Sequence, residues 1–215
     1  MRYLINLSYN GSLFYGYQIQ NNKVTVEGEI EKTLSKILNT KINTIAASRT
    51  DRGVHALNQY CHFDYDKSIN LKKLTHSMNS LINDGIYIRK ITKVNDDFHA
   101  RYNVVQKEYI YKINMGEYNP IEKDYVYQYN KPIKKELIEE FIKLMNGEHN
   151  FKSFTSDKDK DSYVDFYNFY VIFTLEAGIR ERVSPFWRTV LPRTSASLAR
   201  ILRQAQNTFR VRQRA

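Results

Sequence analysis

Nine consecutive residues, Ser48-Arg49-Thr50-Asp51-Arg52-Gly53-Val54-His55-Ala56, set one carboxylate between two guanidinium groups. Flanking cations favour the ionised form of a carboxylate, so Asp51 is available at neutral pH as an anion or a nucleophile. Arg49 and Arg52 are then free to hold a nucleic-acid backbone or to fill a gap in a base stack. Thr-Asp-Arg-Gly is also the composition of an ordinary turn, in which Asp bonds its own backbone and Gly supplies a positive φ. The nine residues by themselves leave both readings open.

The elements around this stretch follow from hydrophobic period and turn residues. Tyr3, Ile5, Leu7 and Tyr9 alternate with Leu4, Asn6 and Ser8, the period of a strand. Thr25 is placed to cap a helix running to Leu38, with Val26, Ile30, Leu34, Ile37 and Leu38 on one face. A strand from Ile42 is expected to lead into the Asp51 turn. Gln59 to Tyr65 and Ile86 to Ile91 read as strands around a helix from Leu71 to Leu81, with Asn83-Asp84-Gly85 as the turn before the second. Another strand is expected from Val105 to Met115. A further helix begins after Pro132 and ends at Asn146-Gly147, with Leu137, Ile138, Phe141, Ile142 and Met145 as its buried stripe. The order suggests an α/β unit with a mainly antiparallel sheet and helices on one side.

A chain of 215 residues suits one large domain or two small ones. No apolar run is long enough to span a bilayer and no charged-then-apolar leader follows Met1, so a soluble, cytoplasmic protein is expected. The single cysteine, Cys61, permits no internal disulfide and reads as a small buried residue on an alternating strand. His55 and His62 lack thiol or carboxylate neighbours at ligand spacing, so no metal is implied. The net charge of +10 is unevenly spread. Residues 1–172 carry 19 Lys and 5 Arg against 21 acids, whereas residues 173–215 carry 9 Arg and no Lys against 2 acids. Most of the basic balance therefore belongs to the last fifth of the sequence.

Five blocks in a fixed order place the Asp51 stretch in a wider pattern. They are Tyr9-Asn10-Gly11-Ser12 with Phe14-Tyr15-Gly16-Tyr17-Gln18-Ile19-Gln20, then the Arg-Thr-Asp-x-Gly-Val-His core, then Asp96-Asp97-Phe98-His99-Ala100-Arg101-Tyr102. Lys107-Glu108-Tyr109-Ile110-Tyr111 and Gly147-Glu148-His149-Asn150-Phe151-Lys152-Ser153-Phe154 complete the series. On these residues the chain resembles the tRNA pseudouridine synthase A family from residue 1 to roughly residue 172.

The resemblance implies an α+β fold of two ferredoxin-like or RRM-like units, with mainly antiparallel sheets joined around a central cleft and the second unit incomplete. The expected division is residues 1–104, a partial second unit 105–174, and an arginine-rich tail 175–215. It implies isomerisation of uridine to pseudouridine in the anticodon stem-loop of tRNA, with no cofactor, and homodimers that grip one tRNA across both subunits. Asp51 would be the catalytic anion, attacking C1′ or removing the 2′ proton. Arg49 would occupy the space left by the extruded base, and Tyr109 would stack on that base. Arg52, Tyr17 and Gln18 would contact the RNA, as would Tyr15. Phe98 and Arg101 read as framework.

Composition and resemblance both change near residue 173. Lys and Tyr vanish, Arg, Ala and Ser rise, and the family's glycine, paired aromatics and Met-Val-Arg triplet are missing. The arginine of that triplet is the family's ion-pair partner for the catalytic aspartate. Three readings of the tail follow: an out-of-frame or rearranged end; an RNA-binding extension; or a partner-binding helix, which nothing in the sequence favours. In the second, Ser195 would cap a helix carrying Leu198, Ile201, Leu202, Ala205 and Phe209, with Arg200, Arg203 and Arg210 outside. A catalytically impaired RNA-binding remnant is accordingly the alternative to an active enzyme.

Overall fold

The computed structural model describes residues 1–145, 147–150, 164–167 and 210–214. The chain divides into two compact units, Met1–Glu108 with Asn207–Ala215, and Tyr109–Gln206. The proposed tail helix from Ser195 lies outside the described residues.

The first unit is a mixed α+β structure built on an antiparallel sheet. Strand β1 (Arg2–Tyr9) lies between β3 (His55–Asp64) and β4 (Ile86–Val94), antiparallel to both. The short β2 (Ile45–Ala46) pairs antiparallel with β3 at His62 and Cys61. Strand β10 (Arg210–Arg214) runs parallel to β3, with Arg210 opposite His55 and Arg212 opposite Asn58. The sheet order is β4-β1-β3-β10-β5, where β5 is Gln106–Ile110.

Two helices cover one face. Helix α1 (Val26–Leu38) starts at Thr25, whose side chain accepts the Gly28 N–H, a cap of about 1 kcal/mol. It stops at Asn39, which takes the left-handed conformation at φ 51°. Helix α2 (Leu71–Leu81) is capped by Asn70, accepting from the Lys73 N–H. Helix α2 packs on β4 and α1 on α2. Val26, Ile30, Leu34, Leu74 and Met78 are buried from the helices, and Tyr3, Ile5, Leu7, Tyr9 and Phe63 from the strands.

The other face carries Leu4, which clusters with Ala47 and Ala100 under Tyr60, Val94, Phe98 and Val104. Residues 95–104 are tied down there. Arg2 donates to the Asp64 carboxylate through Nε and Nη2 at 2.8 Å each, and to the Phe98 carbonyl through Nη1 at 2.7 Å. The Ala100 N–H donates to His62 Nδ1 at 3.1 Å. The Asp-Asp-Phe-His-Ala-Arg segment is thus a cover for the sheet, and Phe98 serves as framework.

In the second unit β6 (Ile113–Asn114) pairs parallel with β7 (Tyr127–Gln128). Helix α3 (Lys135–Met145) follows, and β8 (Gly147–Asn150) pairs antiparallel with β9 (Val164–Tyr167). Two expectations need correction. The strand from Val105 to Met115 is broken into β5 and β6, and Leu137, placed in the buried stripe of α3, is 59% exposed. Among the described residues no helix is long and apolar enough to cross a membrane.

Candidate active site

Asp51 sits on a turn whose backbone is fixed from below. The turn closes through the Val54 N–H donating to the Asp51 carbonyl at 3.2 Å, with Gly53 at φ 81°. Thr50 is buried, and its Oγ1 shares a 2.7 Å hydrogen bond with the Tyr9 hydroxyl at the end of β1. The Thr50 carbonyl accepts the Tyr17 N–H at 2.9 Å, and the Ser48 carbonyl accepts from the buried Gln59 side chain at 2.9 Å. Gly11 and Gly16 let the preceding loop approach. A Cβ at Gly11 would stand 2.0 Å from the Val54 carbonyl oxygen, and one at Gly16 would stand 3.2 Å from that of Thr50. The Gly11 N–H also donates to His55 Nδ1 at 3.2 Å.

The residues of the turn therefore divide into two sets with opposite duties. Thr50, Val54 and His55 are buried, while Arg49, Asp51 and Arg52 project into solvent. An exposed carboxylate on an over-determined backbone is the arrangement a reactive group needs, because its position is set by packing it does not itself make.

Arg52 and Asp51 are not paired. Among the described residues Asp51 takes part in none of the ion pairs. The Arg52 guanidinium carbon instead lies 4.3 Å from the centre of the Tyr15 ring, and Lys23 Nζ lies 4.4 Å from that same centre. Gln18 is exposed on the same loop. Lys23 was not singled out from sequence. The signal for it is the Asn21-Asn22 pair before it, since Asn tolerates the left-handed turn (φ 58° at Asn22) that returns the chain towards Tyr15.

Tyr17 is corrected. Expected to contact RNA, it is 0% exposed and its hydroxyl has no hydrogen-bond partner of normal geometry. Gly16, at φ 93°, turns the chain so that the Tyr17 ring enters the core beside Tyr9, with ring centres 6.1 Å apart. Burial pushes the Tyr17 phenol well up, and Tyr9 and Cys61 each to about 12. These three groups stay neutral and do no acid-base work at ordinary pH.

Tyr109 lies on β5 at the start of the second unit and is partly buried. Two residues on, burial and the nearby Tyr109 hold the Tyr111 phenol above its ordinary range. On the covered face, His62 presents an unpartnered buried Nε2, and its ring meets His99 edge-on at 4.9 Å. Burial, then the Arg2 guanidinium and His99, lower His62 to about 4.

The family model described as tRNA pseudouridine synthase matches residues 7–103, a span that includes the whole Asp51 turn and the Tyr15 loop. The "tRNA pseudouridine synthase A" of Mycoplasmoides gallisepticum is 42% identical over 158 residues, covering 73% of this chain and 60% of that protein. That of Mycoplasma genitalium is 42% identical over 161 residues, covering 75% and 66%. The chain belongs to the tRNA pseudouridine synthase A family. The chain spans 60% and 66% of the length of these two relatives. Within the tRNA pseudouridine synthase A match, Arg49, Asp51, Arg52 and Gln18 all fall inside the family model, whereas Tyr109 lies beyond it.

Proposed function

We propose that this chain isomerises uridine to pseudouridine in tRNA, with Asp51 as the catalytic anion. The observation that carries the reading is the exposed Asp51 carboxylate on a turn locked by Tyr9, Gln59, Gly11 and Gly16, inside the segment matched by the family. In the reaction the N1–C1′ bond of uridine breaks, the uracil turns while it is held, and C5 bonds to C1′. The C5 proton leaves and N1 gains one, so atoms and electrons balance with no redox partner or cofactor. Asp51 either attacks C1′ or removes the 2′ proton to give a glycal, and both routes need an anion placed at the sugar. Arg49 fills the space of the extruded base and Tyr109 stacks on it, a contact that demands shape more than base identity. Recognition runs through phosphates and tRNA shape in the anticodon stem-loop, by a cytoplasmic homodimer.

The test is tritium release from tRNA labelled at uracil C5. Release by the wild type, reduced more than about 10⁴-fold in Asp51→Ala with tRNA binding retained, supports the reading. Equal release by both proteins refutes it. A second reading is favoured by one observation: the family's Met-Val-Arg triplet is absent and, among the described residues, Asp51 has no cationic partner. On that reading the chain binds tRNA and releases no tritium.

A further inference from the structure

The loop before α1 is folded back on itself. The Tyr15 N–H donates to the Val24 carbonyl at 2.9 Å, Gln20 Nε2 donates to the Tyr15 carbonyl at 2.7 Å, and the Lys23 N–H donates to the Gln20 carbonyl at 3.3 Å. This closure brings Lys23 to Tyr15 from one end of the loop, while Arg52 reaches the same ring from the Asp51 turn. The two pieces are joined through the Tyr17 N–H and the Thr50 carbonyl.

Two cations within 4.4 Å of one ring centre repel each other, and the ring offsets only about 0.5–1 kcal/mol for each at an exposed site. No carboxylate completes the group, since among the described residues neither Lys23 nor Arg52 makes an ion pair. Glu27 and Glu29, the acids on the neighbouring first turn of α1, are engaged with the Ile19 N–H at 3.0 Å and with Lys32 at 3.6 Å, respectively. Tyr15 is 38% exposed, so an anion can reach the cations from solvent.

We infer that Lys23 and Arg52, both seated on Tyr15, form a binding site for one backbone phosphate of the RNA strand beside the target nucleotide. This deepens the proposed function and rests on it. A nucleotide whose C1′ stands at Asp51 carries a phosphate on either side of its sugar, and Arg52 is the next residue along. Arg supplies a planar fork of donors and Lys a point charge, so the pair grips a phosphate oxygen cluster without reading a base. Because the ring holds both side chains in place beforehand, little side-chain freedom is lost when the phosphate arrives.

The experiment compares binding of an unmodified tRNA transcript by the full chain and by its Lys23→Ala and Lys23→Arg variants, over about 50–200 mM salt. Lys23→Ala is expected to make the log–log salt slope shallower by about 0.7–0.9, and to weaken binding about threefold more at the low-salt end than at the high. Lys23→Arg should keep the wild-type slope. Equal thermal midpoints show that the variants are folded. Wild-type binding with an unchanged slope in Lys23→Ala overturns this inference and leaves the proposed function standing. Absence of tRNA binding by the wild type overturns both.

Discussion

Replacing Gly11 by alanine tests whether the turn beneath Asp51 is positioned from below. The new Cβ would stand 2.0 Å from the Val54 carbonyl oxygen, 2.3 Å from its carbon and 2.8 Å from the Val54 nitrogen. All three are backbone atoms, so no side chain can swing aside. The closest approach a Cβ tolerates is 3.0 Å, and the Val54 peptide must therefore retreat by about 1 Å. Val54 closes the turn on the Asp51 carbonyl, so this displacement is transmitted to the carboxylate three residues earlier. A misplacement of about 1 Å at a reacting group costs on the order of 10²-fold in rate. Forcing a methyl group into a packed site costs about 1–3 kcal/mol of stability. Single-turnover tritium release should thus fall about 100-fold in Gly11→Ala, with tRNA affinity nearly unchanged and a lower urea midpoint. A wild-type rate in a variant whose midpoint has dropped would show that the Asp51 position does not depend on Gly11.

Two further outcomes rest on the buried polar groups. His62 is lowered to about 4 in the folded protein against 6.5 when unfolded, so the unfolded chain binds the extra proton between those values. Its contribution is fully present above pH 6.5 and is lost as the pH falls towards 4, on the order of 3 kcal/mol in all. Urea titrations at several pH values should show this loss in the wild type and a flatter dependence in His62→Asn, which keeps an acceptor for the Ala100 N–H; parallel curves would exclude His62 as the cause. Tyr17→Phe removes a buried hydroxyl whose polar contact is with the weakly bonding Cys61 thiol, so stability should change by less than about 1 kcal/mol and tRNA affinity should not change. Weakened binding in Tyr17→Phe would return that residue to the RNA surface.

What the sequence made legible is what strict period and capping chemistry determine. Helix α2 runs from Leu71 to Leu81 as its apolar spacing requires, and α1 begins after its Thr25 cap. The strand expected from Ile42 shrinks to Ile45–Ala46 because side chains of α1 take its backbone donors. Ser35 Oγ accepts the Ile42 N–H, and Glu31 accepts that of Thr44. Strand β3 starts at His55, earlier than the run of apolar residues suggests, because His55, Gln59 and His62 are polar yet buried. Their partners are distant carbonyls and N–H groups that no local window displays. At the site, Asp51 and its arginines were legible as a motif. The inward turn of Tyr17 and the approach of Lys23 were not, since both follow from loop geometry at Gly16 and Asn22.

The two edges of β3 are filled at very different moments in the life of the chain. Strand β1 precedes it, and β2 is only a few residues away, but the neighbour at His55–Asn58 is supplied by residues 210–214. During synthesis that stretch leaves the ribosome after every other described residue. Until then the backbone donors and acceptors of β3 nearest the Asp51 turn face outward without a strand to receive them, in a sheet whose helices and other strands can already be in place. The nascent protein therefore passes through a stage in which the strand leading out of the Asp51 turn has an open edge, and an extended segment of another chain can compete for the position until β10 arrives.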